Sequence, residues 1–311
     1  MKIQALVEQY IAHRRAMGEE QRSPGYLLRA FGRFVGETVN LDAITSDQVE
    51  AFLGSRKPLA RSWHSKYYVL HVFFKYALRR GHITRSPLSA VVPKRPPAFV
   101  PYIYSHRELQ TLVRMAKAPR PRWSCLEADT FSLALITLYA TGLRVRELIK
   151  LNCADVNFMN SVMTVHRSKF GKTRLVPIGM PLQQALQSYV QRHAVMSPDS
   201  PFFITRTGSR ITIRALQQAY RKLCRRAGIT RTDGGRFQPR LHDLRHTFAV
   251  HRLTAWYRQG ADVQKLLPQL STYLGHVYIQ ATQVYLTMTP ELLQQASQRF
   301  ENYVIKENIH V

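Results

Sequence analysis

The chain has 311 residues, with 45 Lys and Arg against 19 Asp and Glu, a formal charge of +26. At this length about two domains of roughly 100 to 200 residues are expected, each able to bury a core without disulfides. With 45% apolar residues the sequence is too hydrophobic for a disordered basic tail. Self-repulsion of this size points to a polyanionic partner, nucleic acid ahead of an anionic membrane surface. No apolar run approaches the roughly 20 residues of a spanning helix, and Glu8, Gln9 and His13 interrupt the stretch where a signal peptide needs continuous apolar residues. The expectation is an unprocessed cytoplasmic protein with no membrane segment. Cys125, Cys153 and Cys224 stand far apart without CxxC spacing, which supports neither a disulfide framework nor a zinc site.

In chain order, residues 1–86 read as helical throughout. Ile3, Leu6, Val7, Tyr10 and Ile11 recur at helical spacing, and Ser23-Pro24 reads as a cap and first helical position ahead of Tyr26, Leu27, Phe31, Phe34 and Val35. Thr45 with Gln48 matches a capping box. A further segment at about 58–80 carries Trp63, Tyr67, Val69, Leu70, Phe73, Phe74 and Ala77 and stops at Gly81. Residues 1–100 hold 16 basic and 7 acidic side chains, or +9. Arg61, Lys66, Lys75, Arg79 and Arg80 are candidate phosphate contacts of this all-α domain, an ordinary solvated face being the alternative.

Residues 87–104 form a proline-rich basic linker, with Pro87, Pro93, Pro96, Pro97 and Pro101 around Lys94 and Arg95. Such a stretch is a semi-rigid extended connector. It suits either a strap along a phosphate backbone or a plain solvated link.

The remaining domain, 105–311, begins with a second capping box at Ser105 and Glu108 and continues through an apolar helix, 131–139, up to Thr141-Gly142. Strands are expected at about 156–158, 162–166 and 174–178, with turns at Met159-Asn160 and 169–172. From Pro181 onward the period is helical again. The expected class is therefore mainly α with a small antiparallel β-sheet. Residues 101–311 carry 29 basic and 12 acidic side chains, or +17, and 206–245 alone hold eleven basic against two acidic.

Four local patterns in this domain carry chemistry, each with a bland reading beside it. In Gly142-Leu-Arg144-Val-Arg-Glu147-Leu a glycine breaks one helix and the next opens with an arginine whose planar fork suits a phosphate, with Glu147 one turn on to brace it. A surface Arg–Glu pair is the alternative. His242 and Arg245, three apart, share a face near a helix start, where anions are welcome, as ordinary surface residues also do. Gly275-His276 is followed after eight residues by Tyr285, and the turn Ser168-Lys169-Phe-Gly171-Lys172 holds lysines on a hairpin tip. A helix-capping histidine and solubilising lysines are the corresponding bland readings.

Taken in this order, the GLRxxEL, hairpin Lys, HxxR and LGH-x8-Y series resembles the tyrosine recombinase (phage integrase and Xer-like) family, and the similarity covers nearly the whole chain. The resemblance implies a SAM-like helical core-binding domain followed by a tyrosine recombinase catalytic domain. It implies that Arg144 and Arg245 grip the scissile phosphate and that Lys169, or Lys172 in its place, is the general acid. His242 and His276 complete the pocket, and Tyr285 is the nucleophile. The implied reaction cuts and rejoins double-stranded DNA at specific sites through a 3′-phosphotyrosyl link, with no nucleotide cofactor and no metal. A homotetramer on synapsed DNA and a nucleoid-associated location are also implied. Integration or excision of a mobile element is the favoured task. Xer-type replicon dimer resolution, a type IB topoisomerase or telomere resolvase, and a catalytically inactive DNA-binding regulator are the alternatives.

Two places depart from the common pattern. Residues 256–273 run longer than usual, with Pro268 interrupting them, and Tyr285 is followed by Leu-Thr-Met where many relatives read Thr-His. Tyr273 and Tyr278 are nearby rivals, but only Tyr285 has the eight-residue spacing from His276. Beyond it, Thr289-Pro290-Glu291 caps a last helix with Leu292, Leu293, Ala296 and Phe300 on one side, which either docks on a neighbouring protomer or folds back on its own domain.

Overall fold

The computed structural model describes residues 1–19, 21–54, 61–95, 99–166, 173–193, 197–234, 237–288, 292–294 and 297–298. The chain divides into two compact units, Met1–Ala98 and Phe99–Val311.

The first unit is built from α1 (Ile3–Ala16), α2 (Arg22–Val35), α3 (Ser46–Leu53) and α4 (Arg61–Arg79). The apolar stripe of α1 buries Ile3, Leu6, Val7, Tyr10 and Ile11 in one core with Leu28 and Phe31 of α2 and Leu70, Phe73, Phe74 and Ala77 of α4. Edge-on ring pairs, Tyr10 with Phe73 at 5.6 Å and Phe31 with Phe74 at 6.0 Å, lock the helices in register. The capping box at α3 forms, the Gln48 amide donating to Thr45 Oγ1 and the Thr45 amide donating to Gln48 Oε1. α2 starts earlier than Ser23-Pro24 suggests, with Gln21 as its cap. Pro24 falls in the first turn, where the missing N–H has no intrahelical bond to lose.

Lys66, half-buried, has a partner inside the unit. Its ammonium donates to the Phe52 carbonyl at 2.9 Å and lies 4.9 Å from the Phe52 ring, so it satisfies the last turn of α3 with one of its three N–H donors. Lys75, Arg79, Arg80, Lys94 and Arg95 are exposed, and the Arg61 side chain lies outside the described residues.

The second unit contains α5 (His106–Ala116), α6 (Ala128–Thr141), α7 (Val145–Lys150), β1 (Val156–Asn157), β2 (Val162–Val165), β3 (Arg174–Pro177), α8 (Met180–Arg192), α9 (Ile213–Arg226), α10 (Asp243–Arg258), α11 (Val263–Leu274) and α12 (Gln280–Gln283). The strands form an antiparallel sheet in the order β1-β2-β3, and the two-residue period turns Val156, Met163, Val165 and Val176 into the core. α6 is apolar nearly all round and buries Phe131, Leu133, Ala134, Leu135 and Leu138.

The linker ends sooner than 87–104. Tyr104 is fully buried, and its amide donates to Thr247 Oγ1 at 3.1 Å, which ties its segment into the second unit. Pro268 does not interrupt α11, which runs straight through it. A separate core layer holds Phe248, Leu253, Leu267, Leu270, Leu274, Tyr285 and Leu292, so at Leu292 the chain folds back on its own unit. Among the described residues no helix is long and apolar enough to cross a membrane.

Candidate active site

Two glycines set the geometry. Gly142 ends α6 at φ 60°, and a Cβ there would lie 2.6 Å from Phe248 and 2.9 Å from Leu274. Only glycine allows both the left-handed turn and this approach to α10 and α11. Gly275 closes α11 in the same way at φ 67°, where a Cβ would press on the Arg174 guanidinium at 3.0–3.2 Å. Both turns leave carbonyls near helix C-termini without intrahelical donors. Arginines fill them: Arg245 donates from Nη1 to the Gly142 carbonyl and from Nη2 to the Leu274 carbonyl, both at 2.6 Å, and Arg144 Nη2 donates to the Gly275 carbonyl at 3.1 Å.

Glu147 organises the same corner. Its carboxylate accepts from the Arg144 amide at 2.9 Å and from Arg144 Nη1 at 2.7 Å, and it accepts Arg174 in a fork at 3.0 and 2.8 Å. Burial pushes this carboxyl up, but Arg174 and then Arg144 outweigh it and hold it at about 2. Arg174, on β3, also donates to the Tyr273 carbonyl at 2.9 Å and thereby ties the sheet to the end of α11. Burial and then Arg144 lower Arg245 to about 10, which leaves it a cation at neutral pH.

Tyr285 lies on a short 3-10 turn, Val284–Thr287, after α12, and is 3% exposed. Its hydroxyl is 3.2 Å from His246 Nδ1. Burial raises the phenol above its ordinary value, while Arg245 and Arg144 pull it back. His276 follows the Gly275 turn, with its ring 6.2 Å from that of Tyr285 and its Nδ1 2.7 Å from Thr282 Oγ1. Burial, then Arg245 and Arg144, push His276 down to about 3. Burial, then Arg245 and Arg240, push His246 down to about 4. His242 stands edge-on to His246 at 5.0 Å. Packed surroundings, then His246 and Arg245, lower it, and its exposure to solvent softens that shift.

Of the residues expected from the sequence, Arg144, His242, Arg245, His276 and Tyr285 therefore gather in one protomer. Lys169 and Lys172 lie outside the described residues. The rival tyrosines are otherwise employed: Tyr273 stacks on Phe248 at 5.6 Å, and Tyr278 is 71% exposed. Sequence reasoning missed His246, Arg174 and Thr282. A signal existed for His246, four residues after His242 on the same helical face. Arg174 had none, because the fork to Glu147 spans 27 residues. Among the described residues no three or more of His, Cys, Asp and Glu are placed to hold a metal ion.

Residues 104–291 match the phage integrase family. The integrase/recombinase-type protein y4rB of Sinorhizobium fredii is 35% identical over 303 residues, covering 95% of this chain and 96% of its own. The tyrosine recombinase XerC of Syntrophus aciditrophicus is 30% identical over 266 residues, covering 81% of this chain and 78% of its own. Among solved structures, the Tn1549 transposon integrase in complex with transposon right end DNA matches with a TM-score of 0.70 over 97% of this chain and 99% of that one, at 17% identity, a likeness of fold. A family match over most of the chain, together with full-length relatives at this identity, makes the chain a member of the phage integrase family of tyrosine recombinases.

Proposed function

We propose that this site-specific recombinase cuts DNA by attack of Tyr285 Oη on a backbone phosphorus, leaving a 3′-phosphotyrosyl bond and a free 5′-hydroxyl, and rejoins strands by the reverse step. The observation that supports this most is the buried Tyr285 hydroxyl beside Arg245 and His246 in the pocket that also holds Arg144. Attack builds negative charge on the non-bridging oxygens, and the guanidinium groups of Arg144 and Arg245, already fixed on helix-end carbonyls, meet it without reorganising. Loss of one such donor costs on the order of a hundredfold or more. His276, with Nδ1 on Thr282, leaves its other nitrogen for a phosphate oxygen, and His242 stands at the rim of the pocket. Lys169 is assigned to protonate the leaving 5′-oxygen.

The energy of the broken bond is kept in the phosphotyrosine, so rejoining needs no nucleotide. The proposed task is integration or excision of a mobile element by a homotetramer on synapsed double-stranded DNA, within the cytoplasm at the nucleoid. The similarity to XerC favours replicon dimer resolution as the second reading. Sequencing the DNA covalently trapped on the protein in its host separates them: element ends support the first, a single chromosomal locus the second. A nicked suicide duplex built from that sequence then tests the chemistry. The wild type is expected to give a covalent protein–DNA band and Tyr285→Phe none, and a band of undiminished intensity from Tyr285→Phe overturns the reading.

A further inference from the structure

For Tyr285 to attack phosphorus its hydroxyl proton must leave, and the immediate surroundings of the oxygen single out where it goes. A phenol oxygen has one hydrogen to give and lone pairs to accept with. Arginine only donates, so Arg245, whose charge bears on Tyr285, cannot receive the proton. His246 Nδ1, at 3.2 Å, is the hydrogen-bond partner of the hydroxyl and, as the Nε2–H tautomer, accepts its hydrogen. The remaining imidazoles are placed differently: the His276 ring stacks at 6.2 Å with its Nδ1 engaged by Thr282, and His242 meets the edge of His246.

The geometry points to His246 as the base that takes the phenolic proton of Tyr285 during strand cleavage and returns it during rejoining. This rests on the reading of Tyr285 as the nucleophile. As the Oη–P bond forms, the Oη–H bond breaks and the proton passes to Nδ1, converting a neutral imidazole to imidazolium. The P–O5′ electron pair leaves with the oxygen, which takes its proton from the general acid. On rejoining, each transfer runs backwards.

The charges around His246 suit this role. Arg245 and the Asp243-paired Arg240 on its own stretch of chain, Arg144 at the start of α7 and the neutral His242 and His276 surround it and Tyr285, and burial first, then the charges of Arg245 and Arg240, keep His246 unprotonated, with its lone pair available. The same surroundings make it a weak base in the free protein. A phosphodiester seated on Arg144 and Arg245 brings a negative charge that cancels part of the arginine charge. His246 therefore gains basicity when the scissile phosphate arrives, which couples activation of the phenol to correct seating of the DNA.

The test compares wild type, His246→Asn and His246→Gln in single-turnover cleavage of the nicked suicide duplex. The Asn side-chain oxygen occupies the place of Nδ1 and accepts the hydrogen bond but takes no proton. Cleavage is expected to slow by on the order of a hundredfold or more, with DNA affinity little changed. Replacing Tyr285 by 3,5-difluorotyrosine, a more acidic phenol, is expected to restore at least about tenfold in His246→Asn and to change the wild-type background little. Rates near wild type in both variants overturn the proposal, as does a loss that the acidic phenol fails to restore, which is the result of a packing role alone. If His246→Asn does not fold, His246→Gln with the difluorotyrosine carries the same comparison. A wild type that forms no adduct overturns the nucleophile reading itself, whereas normal wild-type cleavage with unimpaired variants removes only His246.

Discussion

The two units use the same kinds of cation in opposite ways. In the first, Lys75 and Arg79 on α4 and Arg80 just past its end stand exposed, and Arg80 leans on the Tyr76 ring at 5.6 Å. In the second, the Arg174 side chain is 9% exposed, Arg245 is 2% exposed, and Arg144 is fixed by Glu147 and a helix-end carbonyl. Solvated charges attract a polyanion from a distance and are screened by salt, whereas buried and hydrogen-bonded ones act at a single atom and resist screening. Charge count alone, +9 and +17 over the two halves, says nothing of this division of labour.

The largest expected effect breaks the inner arrangement at its one acid. Glu147→Gln leaves the guanidinium groups of Arg144 and Arg174 facing each other without compensation, and removing one partner of a buried pair costs about 3–5 kcal/mol. Urea unfolding should show this loss of stability together with loss of cleavage, and a change below about 1 kcal/mol contradicts the bracing role. Arg245→Lys keeps the charge but cannot donate to both the Gly142 and Leu274 carbonyls. Cleavage should fall by on the order of a hundredfold or more while DNA affinity falls far less.

The buried histidines sharpen the contrast through pH. His246 and His276 sit at about 4 and about 3 in the folded protein, against an ordinary value of 6.5. Between these values the unfolded chain binds more protons than the native one, so stability is complete above 6.5 and is lost as pH falls toward 4 and then 3. Melting temperature should decline over that window, and His276→Gln should remove part of the decline. A flat profile contradicts the assignment. The smallest effects belong to the first unit. Lys75→Ala, Arg79→Ala and Arg80→Ala should each change stability by less than about 0.5 kcal/mol. Each should also reduce the salt dependence of DNA binding by about 0.9 per lost contact. Unchanged slopes in all three remove these residues from the DNA surface.

Much of this was legible in the sequence because its determinants are local. Helical stripes in α1 and α4, the capping boxes at Thr45 and Ser105, and the alternation of β2 and β3 depend on residues within a turn or two of one another. Arg144, Arg245 and Tyr285 were readable through motif order. What escaped depends on distant partners. Lys66 looks like a free cation until Phe52 folds beneath it, and Arg174 looks like a polar strand residue until Glu147 arrives. Pro268 suggests a break, yet α11 tolerates it because its flanks pack in the same core layer as Phe248 and Leu253. Tyr104 belongs to the core rather than the linker for the same kind of reason, a bond to Thr247 from 143 residues away.

The proposed strand cleavage requires that the phenol at position 285 receive the DNA. Digesting the trapped covalent complex with protease and nuclease and sequencing the modified peptide by mass spectrometry reads this atom directly. A nucleotide 3′-phosphate is expected on Tyr285 alone, and its appearance on Tyr273, Tyr278 or a serine rules out Tyr285 as the nucleophile.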